Sequence, residues 1–182
     1  MKTLVIVTHP NIHDSMVSKT WVHMLRQHPD RFTVHELYSK YPDGVIDVER
    51  EQALVEEHQN IVLQFPVYWF NCPPLLKQWC DEVLTYGWAY GSKGKAFENK
   101  KLGIAVSLGA PASEYSAEGS VGYTVAETLR PFELTANYIS ANYQPLFTFH
   151  TIDTYESYDE AAAQLVADSA DDYLAHLNTY YA

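Results

Sequence analysis

The chain has 182 residues, of which 47% are hydrophobic and 19% charged, a composition that forms a packed globule rather than a disordered chain. Its net charge of −11 argues against nucleic acid and anionic membrane surfaces as partners, because both demand basic patches, though it permits a local basic pocket. The length fits one domain over residues 1–182, no apolar run is long enough to span a bilayer, and no signal peptide is recognised at the start. Two cysteines, Cys72 and Cys80, are too few for a disulfide framework and fit a reducing cytoplasm.

The run from Lys2 to Thr8 reads as a strand covered on both faces. It breaks at His9-Pro10-Asn11-Ile12-His13-Asp14-Ser15, after which Val17, Trp21, Met24 and Leu25 recur at helical spacing, so Asp14 or Ser15 caps a helix to about His28. A strand leading through a polar loop into a helix N-terminus gathers free N–H groups and the positive dipole end, the requirements of an anion site. The loop lacks glycine, which excludes both the P-loop and the GxGxxG pattern. No metal site is expected, since His9, His13 and Asp14 share a loop without supporting cysteines.

Phe32 to Leu37 alternates as a second strand, Tyr38 to Ile46 reads as loop, and Asp47 caps a helix running to His58. The third strand, Asn60 to Phe65, runs into Pro66-Val67-Tyr68-Trp69-Phe70 and then into Pro73-Pro74, which suit a first helical turn. Aromatic side chains in this position form either a wall for a flat ligand or the packing of a core or subunit contact. Leu102 to Ser107 is a fourth buried strand, followed by a long loop of small and polar residues, Leu108 to Gly122, of a length that is usually functional. Val125 to Ile139 reads as a helix disturbed by Pro131, Asn142 to Phe149 as a fifth strand, and Asp159 to Leu177 as the closing helix.

This alternation predicts an α/β fold, a flavodoxin-like five-stranded parallel sheet of order 2-1-3-4-5 with helices on both faces. Ligands of such sheets lie beyond the strand C-termini, where the loops His9 to Ser18, Pro66 to Phe70 and Ser107 to Tyr115 meet. Together they offer a phosphate site, a flat wall and polar donors, which a phosphorylated flat heterocycle such as FMN answers.

Tyr41-Pro42-Asp43 with Ile46-Asp47, Pro66-x-x-Trp69 with Pro73-Pro74-Leu75-Leu76-Lys77-x-Trp79, and Gly87-Trp88-Ala89-Tyr90-Gly91 give the chain its resemblance to the flavodoxin-like NAD(P)H:quinone oxidoreductases. It is most similar to the small bacterial FMN subgroup that includes the ancillary flavoprotein of glutathione-gated potassium efflux systems. The resemblance covers nearly the whole chain and is looser over the last seventy residues. It implies that His9, Ser15, Met16, Val17 and Ser18 bind the FMN phosphate, that Pro66, Val67, Tyr68, Trp69 and Phe70 line the ring system, and that Ser107, Leu108, Gly109 and Ala110 face its pyrimidine edge.

It also implies a homodimer and ping-pong hydride transfer through flavin N5, from NADH or NADPH to a quinone, or to a nitro or azo compound. FAD-binding members carry extra C-terminal length, and this chain's end at Ala182 favours FMN. Tyr115 matches a tyrosine that donates to the flavin in larger relatives, where a histidine follows six residues later; this chain has Val121 there. The resemblance equally admits a regulatory flavoprotein docked on a membrane efflux partner. A one-electron carrier fits the aromatic crowding less well.

Overall fold

The computed structural model describes residues 2–150 and 159–182. Strands β1 (Thr3–Val7), β2 (Phe32–Glu36), β3 (Asn60–Pro66), β4 (Lys101–Leu108), β5 (Asn142–Tyr143) and β6 (Phe147–His150) form one sheet. Its order is β2-β1-β3-β4-β5, with β6 also on β4 and every pairing parallel. Helices α1 (Val17–Arg26), α2 (Leu37–Lys40), α3 (Val48–Glu56), α4 (Pro74–Val83), α5 (Val125–Thr128), α6 (Arg130–Tyr138) and α7 (Glu160–Tyr180) complete the fold.

Strand alternation divides the core in two. Leu4, Ile6, Ile61, Leu63, Phe65, Ile104 and Val106 pack with residues of α3, α4 and α6. Val5, Val7, Val62 and Ala105 meet α1 and α7 on the other face. There the fully buried Trp21 lies 4.8 Å from Tyr173, centroid to centroid, and donates Nε1–H to Ser169 Oγ at 2.9 Å. Its polar edge is thereby satisfied, as burial requires. Gly103 is in contact with the C-terminal segment: a Cβ at this position would fall 1.9 Å from the Tyr181 hydroxyl.

Three expectations change. The sheet has six strands rather than five, because the predicted fifth strand is split at Gln144-Pro145-Leu146. Lys101 pairs with Asn142 but Ala105 with Phe147, so one extra residue bulges where Pro145 has no N–H to offer. The predicted 125–139 helix breaks at Leu129 just before Pro131, with a capping box between Thr124 and Glu127 starting its first part. The stretch predicted as loop after β2 contains the helical turn Leu37–Lys40. The predicted cap Asp47 accepts the Arg50 N–H, and Asp159, at the start of the predicted closing helix, caps it by accepting the Ala162 N–H.

A charged group in the core was not foreseen. Glu51, on α3, has no exposed surface, yet accepts from His35 Nε2 at 2.8 Å, Tyr41 Oη at 2.6 Å and Trp79 Nε1 at 2.8 Å. Burial opposes its charge, but the bonds from His35 and Tyr41 outweigh that and hold the carboxyl below its usual 4.5. The carboxylate thus ties β2, the loop before α3, and α4 together.

Glu51→Gln is expected to lose roughly 3 kcal/mol in urea unfolding, since one partner of a buried charged network is removed. The sign of the pH effect follows from the lowered pKa: the carboxylate stabilises the fold above about pH 4.5 and stops doing so as pH falls through the folded value. Wild type should therefore lose more stability than Glu51→Gln between about pH 5 and pH 3.

Candidate functional site

Because every strand runs the same way, the loops after β1, β3 and β4 and the end of β6 lie at one edge of the sheet. Gln64 pairs with Val7 and Pro66 with Ser107, which itself pairs with Phe149; continuing that register places His9, Pro66, Ser107 and Phe149 at one level.

The first loop gathers hydrogen-bond donors. Asn11 N–H donates to His9 Nδ1 at 3.1 Å, which leaves Nε2 as the hydrogen-bearing nitrogen of the neutral ring. Partial burial lowers the His9 pKa and favours that neutral form. Ser15, not Asp14, caps α1: its Oγ accepts the Ser18 N–H at 3.0 Å, while Asp14 accepts from the Asn11 side chain. The side chains of Val17 and Ser18 are buried and Met16 is exposed, so backbone N–H groups are what this helix start presents. Lys19 Nζ donates to His13 O at 3.1 Å and brings a cation to the loop.

The second loop is a strained hairpin. Tyr68 and Asn71 exchange both backbone hydrogen bonds, at 2.8 and 2.9 Å, around Trp69 (φ +49°) and Phe70 (φ +60°). Two-residue turns with positive φ at both positions favour Asn-Gly, and each bulky residue held there costs roughly 1–2 kcal/mol. Trp69 is 94% exposed and Tyr68 and Phe70 are exposed as well, whereas Leu76 and Trp79 on α4 are core. The core-packing role therefore falls to the α4 end of the aromatic stretch, and the hairpin end stays exposed. Val67 N–H anchors the hairpin to Ser107 O at 2.9 Å.

At the third loop Leu108 turns its side chain into the core, so only its backbone can serve a ligand, while Gly109 is open. Tyr115 is half-buried, and burial and Glu114 raise its hydroxyl pKa. Val121 N–H bonds Glu114 O at 3.1 Å within the same loop. His150, at the end of β6, approaches Tyr115 to 5.7 Å between ring centroids and contacts Ala110 O through Nδ1 at 3.0 Å.

Sequence reasoning passed over Gln64. Its side chain has no exposed surface, and both of its amide atoms lack a hydrogen-bond partner among the described residues, as does the Oγ1 of fully buried Thr8. Gln64 shares the α1 face with Val62, and the Thr8 N–H donates to Gln64 O at 2.8 Å, so these groups lie together at the ends of β1 and β3. Buried amides are nearly always satisfied, and a polar ligand beside the His9–Ser18 loop would meet that need. A lone amide within Ile61-Val62-Leu63-Gln64-Phe65 was the available signal. Away from this edge, an apolar cavity lined by Leu63, Trp79, Phe97, Phe132, Ile139 and Tyr143 contributes no chemistry. Burial and the neighbouring Cys72 push the Cys80 thiol up to about 12, and burial also raises Cys72, so neither is a thiolate nucleophile at neutral pH.

A parallel sheet covered on both faces, in the order β2-β1-β3-β4-β5, defines an α/β protein of the flavodoxin type. The chain belongs to the family described as having a flavodoxin-like fold, whose model matches residues 1–177. It is 54% identical over 148 residues to an uncharacterized NAD(P)H oxidoreductase, YrkL, of Bacillus subtilis, covering 81% of this chain and 84% of that one. It is 42% identical over 135 residues to the glutathione-regulated potassium-efflux system ancillary protein KefG of Erwinia tasmaniensis, covering 74% and 73%. General stress protein 14 of Treponema denticola, solved in complex with FMN, superposes with a TM-score of 0.93 at 63% identity, covering 98% and 99%. An NADPH-quinone reductase from P. pentosaceus superposes with a TM-score of 0.80 at 33% identity, covering 94% and 97%.

Replacing Trp69-Phe70 by Asn-Gly is expected to raise apoprotein stability by roughly 1–3 kcal/mol in urea unfolding, because the turn strain is removed. Unchanged or lower stability would show that the hairpin is not strained.

Proposed function

We propose that the chain is an FMN-dependent NAD(P)H oxidoreductase acting on quinones. The observation that carries this reading is the unsatisfied buried amide of Gln64 beside an anion loop, with an exposed aromatic hairpin next to it. The FMN-bound relative and the oxidoreductase relatives support it. His9 Nε2–H and the backbone N–H groups at Met16 to Ser18 would hold the phosphate, with Ser15 fixing the turn. Gln64 and Thr8 would meet the polar chain behind it. Pro66 to Phe70 would cover the ring system, and Ser107 to Ala110 with Tyr115 would meet its polar edge.

Bound FMN would supply the chemistry, taking two electrons from NADH or NADPH and passing them to the acceptor in a ping-pong cycle. The protein's part is orientation, exclusion of water and stabilisation of charge at the polar edge. A homodimer belongs to the proposal, supported by the exposed aromatic residues Tyr86 and Tyr138 flanking Tyr90. So does a cytoplasmic setting. Similarity to KefG supports a second reading, docking on a potassium efflux system, which copurification with a membrane antiporter would reveal.

The purified protein is expected to be yellow or to take up FMN, and to oxidise NADH or NADPH faster with benzoquinone present. Colourless protein that binds no FMN overturns the reading. Gln64→Leu separates ligand binding from simple packing: it should stabilise the apoprotein, by removing an unsatisfied amide, yet weaken FMN binding at least tenfold, a lost hydrogen bond of roughly 1–3 kcal/mol. Tyr115→Phe should slow flavin reduction modestly in stopped flow without releasing FMN.

A further inference from the structure

The segment after β4 would meet the flavin's polar edge, where negative charge gathers on reduction. His150 is brought to that segment from a different strand. Its backbone pairs with Leu108, and its Nδ1 lies 3.0 Å from Ala110 O. A carbonyl only accepts, so Nδ1 carries the hydrogen and Nε2 is the nitrogen that titrates. The ring is also packed against Tyr115, at 5.7 Å between centroids and 59° between planes. The imidazole is thus fixed on two sides by the segments that border the proposed ring site, with its basic nitrogen uncommitted to either contact.

We propose that His150 is the proton-holding partner of the reduced flavin: on two-electron reduction, Nε2 takes up a proton and the resulting imidazolium faces the new negative charge. The inference rests on the reading that FMN occupies this edge. The balance is simple. NAD(P)H delivers a hydride, two electrons with one proton, and solvent delivers the second proton, which settles on His150 instead of on the ring.

Among the described residues, the titratable groups on the loop packed against His150 are Glu114, Tyr115 and the exposed Glu118. Tyr115 is already protonated, with its pKa raised by burial and by Glu114, so it cannot take the proton. The Glu114 carboxylate accepts from Ser120 Oγ at 3.0 Å within its own loop. An imidazole whose basic nitrogen is uncommitted is the group suited to gain a proton when negative charge appears beside it.

The test uses the FMN-loaded protein and does not depend on turnover. The midpoint potential of the bound flavin is measured from about pH 7 to 8, where an ordinary imidazole is mostly neutral before reduction, in wild type, His150→Gln and Tyr115→Phe, and the His150 ring nitrogens are followed by NMR in both redox states. Gln keeps a donor for Ala110 O but cannot titrate. Each proton taken up with two electrons adds about 30 mV per pH unit, the two-electron equivalent of a tenfold change. Wild type and Tyr115→Phe should therefore show about twice the slope of His150→Gln, and the wild-type His150 ring should become imidazolium on reduction. Equal slopes in wild type and His150→Gln, a halved slope in Tyr115→Phe, or a His150 ring that stays neutral on reduction each overturn the role of His150. Failure to bind FMN at all overturns the underlying reading instead.

Discussion

The parallel pairing of β1, β3 and β4 is the constraint on which the rest depends. These strands are buried on both faces, so their backbone groups must be satisfied within the ladder, and the ladder fixes register to the residue. Parallel pairing forces each connection to cross back over a face, which is why α1 and α7 lie on one side and α3, α4 and α6 on the other. It also sends every outgoing loop to the same edge. His9, Pro66 and Ser107 are far apart in the chain and meet only because Val7 pairs with Gln64 and Pro66 with Ser107.

That edge is where the molecule departs from its own stability rules. The core satisfies even Glu51, with donors from three elements. At the strand ends, by contrast, Gln64 and Thr8 lack partners among the described residues, and two large aromatic residues occupy left-handed backbone. Unsatisfied amides and turn strain each cost stability, and both fall within a few residues of β1 and β3. Tyr173 Oη also lacks a partner, and Asn99 and Ser140 also hold positive φ, but among the described residues only this edge combines unsatisfied buried groups with large aromatic residues in left-handed backbone.

Sequence legibility followed the same division. Continuous apolar runs revealed β1, β3 and β4, and Asp47, with Ser15 as one of two candidates, was readable as a cap because capping is a local interaction. The bulge between β5 and β6 was not readable, since it depends on how Pro145 meets β4. Glu51 was hidden for a related reason: a glutamate at a helical position reads as surface until His35, Tyr41 and Trp79 are seen to converge on it. The site loops were legible as segments, but not the approach of His150 to Tyr115.

The net charge of −11 sharpens the chemistry required of this edge. An anionic ligand approaches against the field of the whole protein, so its affinity must come from short-range donors. The loop provides these without concentrating positive charge: a histidine kept neutral by partial burial, with hydrogen on Nε2, and the backbone N–H groups of a helix start. His150 presents the opposite arrangement, with hydrogen on Nδ1 and a basic Nε2. On the proposed reading the two histidines therefore divide the work. His9 donates to a charge that is always present, whereas His150 responds to one that comes and goes. A fixed cation in place of His150 would favour the reduced flavin permanently, while a titrating imidazole couples that preference to the proton supply.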